Sequence, residues 1–196
     1  MMSNYLTGQQ LNQICIDKEF YIILNKEIIN FDYEYKNGLN IHTKFNKNYS
    51  LCKGLKFVNK NNVPQFLCED TKYLCKIVIP NDAIIFIENY DEDDEDDEDE
   101  DNILFNFKTN KLILNFKDLF LIEDFYGWNN YEYCKLAVLQ NYYALQFVKE
   151  QTEEICKLAI LQDYYSLQYV KEQTEEICKL AVTKNWYALV FVKEQN

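Results

Sequence analysis

Apolar residues follow two different rhythms along this chain. In the first half they alternate. Phe20, Ile22 and Leu24 alternate with Tyr21 and Ile23, and Phe31, Tyr33 and Tyr35 share one face of the next segment. Leu39, Ile41, Thr43 and Phe45 then recur at period two. Such alternation predicts half-buried strands. Asn37-Gly38 stands between two alternating runs, and that pair predicts a hairpin because both turn residues need positive φ. Further strands are expected at Gly54–Val58, Tyr73–Ile79, Ala83–Ile87, Ile103–Phe107 and Leu112–Phe116. Pro80-Asn81-Asp82 predicts a turn, and Pro64 to Cys68 a helical turn. Upstream, Thr7 and Gln10 have capping-box spacing for a short helix with Leu11, Ile14 and Cys15 as its buried stripe. Residues 1 to about 125 are therefore expected to form a small α+β domain rich in antiparallel sheet.

The second half repeats itself. Tyr131–Thr152, Glu153–Thr174 and Glu175–Asn196 are three tandem copies of one 22-residue unit. Cys134, Cys156 and Cys178 recur, as do Leu136, Leu158 and Leu180; Tyr143, Tyr165 and Tyr187; and Val148, Val170 and Val192. A Lys-Glu-Gln tail closes each unit. Self-similarity at a fixed period takes precedence in setting the architecture.

A period of 22 residues is also twice eleven, which raises a single right-handed coiled-coil helix as the rival. On one continuous helix, however, the apolar residues fall on every side, whereas a coiled coil needs a narrow seam. Two short helices per repeat fit better. Thr152 and Thr174 precede Glu-Glu, an N-cap followed by acids at the positive end of a helix. Asn141, Asp163 and Asn185 stand where a second helix needs its own cap. Helices this short need neighbours. The expectation is a short all-α solenoid of three helix-pair repeats, with the cysteines in its core. The third repeat has no dedicated polar cap. Either it is itself the cap, or its outer face meets a partner or a second molecule of the protein.

Charge changes this picture less than it first suggests. The net charge is −12, but Asp91–Asp101 are eleven consecutive acids; without them 21 acids stand against 20 lysines. A nearly neutral body offers no positive footprint for nucleic acid. The chain has no arginine, so it has no bidentate guanidinium clamp. The acid run is expected to be a solvated loop inserted in the first domain. It lacks the glycine of an EF-hand loop. The N-terminus predicts no signal peptide, and no apolar run is long enough to span a membrane. With seven cysteines, an odd number, these features predict reduced thiols inside a cell rather than secretion.

Candidate chemistry is sparse. His42 is the only histidine and would have to serve any Cys–His nucleophile pair. His42, Cys52, Cys68 and Cys75 are the one conceivable zinc set, but they lack a C-x₂-C knuckle, and buried cysteine packs as a small hydrophobe. The aromatic pairs Tyr142/Tyr143, Tyr164/Tyr165 and Trp186/Tyr187 form either a binding ladder or packing between repeats. No glycine-rich phosphate loop is present. The expectation is no catalytic, cofactor-binding or metal-binding residue.

The segment Ile155-Cys156-Lys157-Leu158-Ala159 followed by Asp163-Tyr164-Tyr165-Ser166-Leu167-Gln168-Tyr169-Val170 resembles a short α-repeat of unknown function found in giant DNA viruses of the mimivirus type. Tyr35–Asn40, Gly54–Phe57, Val78–Ala83 and Phe107–Leu114 resemble a module that precedes repeat arrays in the same viruses. The resemblance implies an uncharacterised viral protein of the host cytoplasm or the virion, with no known catalytic residue. The functional expectation is a protein-interaction adaptor or scaffold with a host or viral protein partner, no nucleic acid and no membrane. The alternatives are a degenerate enzyme in the N-terminal domain and a structural virion component.

Overall fold

A computed structural model describes residues 5–15, 19–30, 33–43, 45, 54–89 and 105–193. The acid run Asp91–Asp101, Cys52 and the expected contribution of Phe31 lie outside the described residues. The fold is mixed α and β, built on an eight-stranded antiparallel sheet with several helices. The chain divides into two compact units. One comprises residues 1–63 and 70–121, the other residues 64–69 and 122–196. The short segment Pro64–Glu69 thus belongs with the repeats, which nothing in the sequence pattern announced.

The first unit opens with β1 (Tyr5–Thr7) and α1 (Gly8–Ile14). Thr7 caps α1 by accepting from Gln10 N at 3.2 Å, and Gln10 Oε1 accepts from Thr7 N at 2.8 Å, so the capping box forms. Leu11 is buried and Cys15 packs against the core as expected, but Ile14 is 68% exposed. Then follow β2 (Phe20–Leu24), the two-residue strands β3 (Ile29–Asn30) and β4 (Tyr33–Glu34), β5 (Gly38–Ile41) and β6 (Leu55–Asn59). The remaining strands are β7 (Tyr73–Val78), β8 (Ile84–Asn89), β9 (Phe105–Thr109) and β10 (Lys111–Leu121). The sheet order is β1-β8-β9-β6-β2-β7-β10-β5, with β3 and β4 paired separately. Its core gathers Leu11, Phe20, Ile22, Leu24, Tyr35, Leu55, Phe57, Cys75, Ile85, Phe107 and Leu112.

The expected hairpin at Asn37-Gly38 does not form. Gly38 does take positive φ, at 90°, but β5 pairs with β10, from Gly38↔Leu114 to Ile41↔Lys111. The polar side chains explain this choice. Asn40 is fully buried, accepts from Lys36 N at 2.9 Å and donates to Lys36 O at 2.8 Å, which closes the turn locally. Asn37 Oδ1 accepts from Phe116 N at 2.9 Å, which ties the turn to β10. With Asn40 turned inward, Leu39 and Ile41 face outward, opposite to the phase that apolar alternation alone implies.

In the second unit each 22-residue repeat contains a ten-residue α-helix followed by a six-residue 3-10 helix. The α-helices are α2 (Tyr131–Gln140), α3 (Glu153–Gln162) and α4 (Glu175–Lys184). The 3-10 helices are Tyr142–Phe147, Tyr164–Tyr169 and Trp186–Phe191. α3 packs against both α2 and α4, and the 3-10 helices contact one another in the same succession. The second helix of each repeat is a 3-10 turn pair rather than α, held by short-range bonds such as Ala144 N to Asn141 O at 2.9 Å.

Candidate protein-interaction surface

Each repeat is punctuated by the same pair of caps. Asn130 Oδ1 accepts from Tyr133 N at 2.8 Å, and Thr152 and Thr174 accept from Ile155 N and Ile177 N at 3.3 Å. Asn141, Asp163 and Asn185 cap the 3-10 helices by accepting from Tyr143, Tyr165 and Tyr187 N at 2.9–3.0 Å. Asn141 has a further role, because its amide donates to Pro64 O at 3.1 Å and Leu67 O at 2.9 Å. That is how the segment from Pro64 to Glu69 is held to the first repeat.

The joints between repeats are also periodic. Gln151 Nε2 donates to Leu145 O in its own repeat at 2.8 Å and to Tyr169 O in the next at 3.0 Å, while its Oε1 accepts from Lys171 N at 2.9 Å. Gln173 makes the same three bonds to Leu167 O, Phe191 O and Lys193 N. Lys171 Nζ reaches back to Val148 O at 2.8 Å, and Lys193 Nζ to Val170 O at 2.6 Å. Lys135 pairs with Glu154 at 2.8 Å, and Lys157 with Glu176 at 2.5 Å. The recurring Lys-Glu-Gln tail was the signal for these joints. Its glutamine and lysine act across the boundary, a role that spacing alone does not reveal.

The front of the first repeat is closed by the segment before it. Trp128, almost fully buried, donates from Nε1 to Ile122 O at 2.7 Å and stacks on Phe147 with ring centroids 5.5 Å apart. Its carbonyl accepts from Lys149 N at 3.3 Å. Gly127 permits this closure, since a Cβ there would lie 2.6 Å from Phe125 Cε1 and 2.8 Å from Tyr133 Cε1.

The far side of the third repeat is open. Leu145 and Leu167 are fully buried, yet their counterpart Leu189 is 58% exposed. Val148 and Val170 are buried, yet Val192 is 37% exposed. Trp186 and Val190 add exposures of 64% and 76% to the same repeat. The aromatic pairs divide in this light. Tyr143 and Tyr165 each contact the following repeat, with ring centroids 5.3 Å from Tyr169 and 5.5 Å from Phe191. Trp186 and Tyr187 stack on each other, both exposed.

The residues with candidate chemistry are scattered. His42 is half-buried at the end of β5, its N–H donating to Asn110 O at 2.8 Å and its ring beside Tyr33. Cys75 is buried in β7, and its thiol donates to Lys76 O and Asn115 O at 3.5 and 3.4 Å. Burial first, and the nearby Asp118 carboxylate second, push that thiol up to about 12. Cys68 is exposed and belongs to the other unit. Among the described residues no group of three His, Cys, Asp or Glu side chains is placed to hold a metal. Cys134 and Cys156 lie in the packed interior, and burial raises both thiols to about 11. Leu136, by contrast, points outward although its spacing matched the cysteines; Ile155, Ala159 and Ile160 fill the interior of α3.

The chain matches no protein-family profile, no curated protein and no solved structure. Among the described residues no helix is long and apolar enough to cross a membrane.

Proposed function

We propose that this protein is a non-enzymatic interaction adaptor or scaffold, whose three 22-residue repeats form a short α-solenoid that recognises a protein partner. One observation carries the reading. Leu189, Val190, Val192, Trp186 and Tyr187 expose apolar surface on one repeat, including positions that the earlier repeats keep dry. Five exposed apolar residues within the stretch from Trp186 to Val192 point to an interaction site. Cys75, Cys134 and Cys156 are poor candidates for a nucleophile, because a buried thiol with a raised pKa carries little thiolate. The resemblance to mimivirus-type repeat proteins extends the proposal to a viral protein acting in the host cytoplasm or the virion.

The test is affinity capture from host-cell lysate with the intact chain and with a Leu189→Asp/Val190→Asp variant, read by quantitative mass spectrometry. Partners lost with the variant support recognition through this surface. A partner set that is the same for both chains overturns it.

A further inference from the structure

Resting on the adaptor reading, we infer that the open face of the third repeat is a template that binds one more helical unit of the same 22-residue pattern. The chain itself states what covers such a face, because it shows the covered state twice. Behind the first repeat, Leu145 and Val148 are covered by the second; behind the second, Leu167 and Val170 are covered by the third. Each covering unit brings the same polar groups. A glutamate meets the preceding lysine, as Glu154 meets Lys135 and Glu176 meets Lys157. A lysine donates to the preceding valine carbonyl, as Lys171 and Lys193 do. A tyrosine or phenylalanine packs on the preceding tyrosine.

The third repeat presents the receiving half of every one of these contacts. Leu189 and Val192 are uncovered, and the Tyr187 ring is exposed. Lys179 stands where Lys135 and Lys157 stand, and it pairs with Glu175 of its own helix at 2.6 Å. The side chains of that pair are 72% and 77% exposed, so it gives little that an incoming acid would not replace.

Charge and geometry select the occupant. A second molecule of this protein cannot offer the front of its first repeat, because Trp128 and Phe125 already cover it and are themselves buried. The matching occupant is a helical unit with the Thr-Glu-Glu-Ile opening and the Tyr-Val-Lys-Glu-Gln close seen in Thr152–Gln173. It binds as the next repeat does, with its second glutamate on Lys179 and its lysine on the Val192 carbonyl.

The experiment titrates the full chain with a synthetic peptide carrying two tandem copies of the Thr152–Gln173 sequence, under reducing conditions. The peptide has no tryptophan and Trp128 is buried, so the emission of exposed Trp186 reports binding. The expected result is a saturable blue shift. Lys179→Glu in the protein weakens binding about fivefold, as does Glu154→Lys in the peptide, and the two changes together restore it. Absence of saturable binding overturns the inference, as does a charge swap that fails to rescue. Sedimentation showing a dimer of the protein that Leu189→Asp dissolves also overturns it and makes a second molecule the occupant. If the peptide fails while lysate partners still depend on Leu189, this inference falls and the adaptor reading stands. If both fail, both fall.

Discussion

The side-chain amide of Gln151 donates to the carbonyl of Tyr169, 18 residues away in the next repeat, at 3.0 Å. The same nitrogen holds Leu145 O at 2.8 Å, so one side chain satisfies carbonyls on both sides of a joint. A half-buried carbonyl that loses its donor carries a desolvation penalty. Gln151→Ala should therefore destabilise the repeat unit by about 2 kcal/mol, as should Gln173→Ala. Gln146→Ala, which removes a bond to Tyr143 O inside one repeat, should have a smaller effect. Urea unfolding followed by circular dichroism measures all three. Equal midpoints for Gln151→Ala and wild type would remove the joint from the account.

Adjacent residues of α3 provide a sharper test of how the helix is oriented. Ile160 is fully buried, whereas Leu161 is 54% exposed. Ile160→Ala removes packed atoms and leaves a cavity, at a cost of about 3 kcal/mol. Leu161→Ala should change stability by less than about 0.5 kcal/mol. A reversal of that order in thermal melts would mean that α3 presents a different face.

These two residues also show what could be read from the chain. The repeat boundaries, the Thr152 and Thr174 caps and the Asn141, Asp163 and Asn185 caps were legible, because a cap acts within three residues and its chemistry is local. The Thr7 capping box and the strands at Phe20–Leu24 and Tyr73–Val78 were legible for the same reason. The inward face of the repeat helix was legible only in part. Leucine recurs at Leu136 and Leu158 as faithfully as cysteine does at Cys134 and Cys156, but only the cysteines are buried. Sheet order was hidden too. β5 passes over its sequence neighbour and pairs with β10, a choice made by the bonds of Asn37 and Asn40 to distant or turning backbone. The missing polar cap of the third repeat was legible, but which residues it exposes became visible only when Leu189 could be compared with Leu145 and Leu167 in their settings.

Ser166 occupies a site that is alanine in the flanking repeats, at Ala144 and Ala188, and all three are fully buried. Its hydroxyl finds no hydrogen-bond partner among the described residues. A buried hydroxyl without a partner is a net cost, and the flanking alanines show that the smaller side chain fits. Ser166→Ala should stabilise the protein by about 1 kcal/mol, seen as a raised urea midpoint with an unchanged slope. A loss of stability would mean that the hydroxyl is satisfied.

The ion pairs between repeats make a pH-dependent contribution on two sides. The Lys135 ammonium, and then the Tyr131 hydroxyl, hold the Glu154 carboxyl below its ordinary value; Lys157 does the same for Glu176. An acid depressed in the folded state stabilises above its unfolded pKa, about 4.3, and the gain is lost as pH falls through the folded value. Lys135 and Lys157 are raised by hydrogen bonds to Glu154 and Glu153 respectively, so their share is present below about 10.4 and is lost as pH rises through the folded value. The difference in Tm between wild type and Lys135→Met/Lys157→Met should be largest between about pH 5 and 10 and shrink in acid. It should also shrink as salt is added. A difference that ignores both pH and salt would assign the effect to packing of the lysine stems.

Cysteine reactivity tests the open face directly, because one thiol recurs in three settings. Cys134 and Cys156 are buried, with burial raising both to about 11; Cys178 is only half-buried, though burial raises it too. The thiolate is the reacting species, so a buried, raised thiol is protected twice, by access and by protonation. At pH 8 an aromatic disulfide reagent should modify exposed Cys68 and then Cys178 in the native protein. Cys75, Cys134 and Cys156 should react only at the rate of unfolding. Peptide mapping of timed aliquots assigns each site. Cys178 reacting as slowly as Cys134 would show that the third repeat is covered in solution, and the exposed Leu189 face would then already have its occupant.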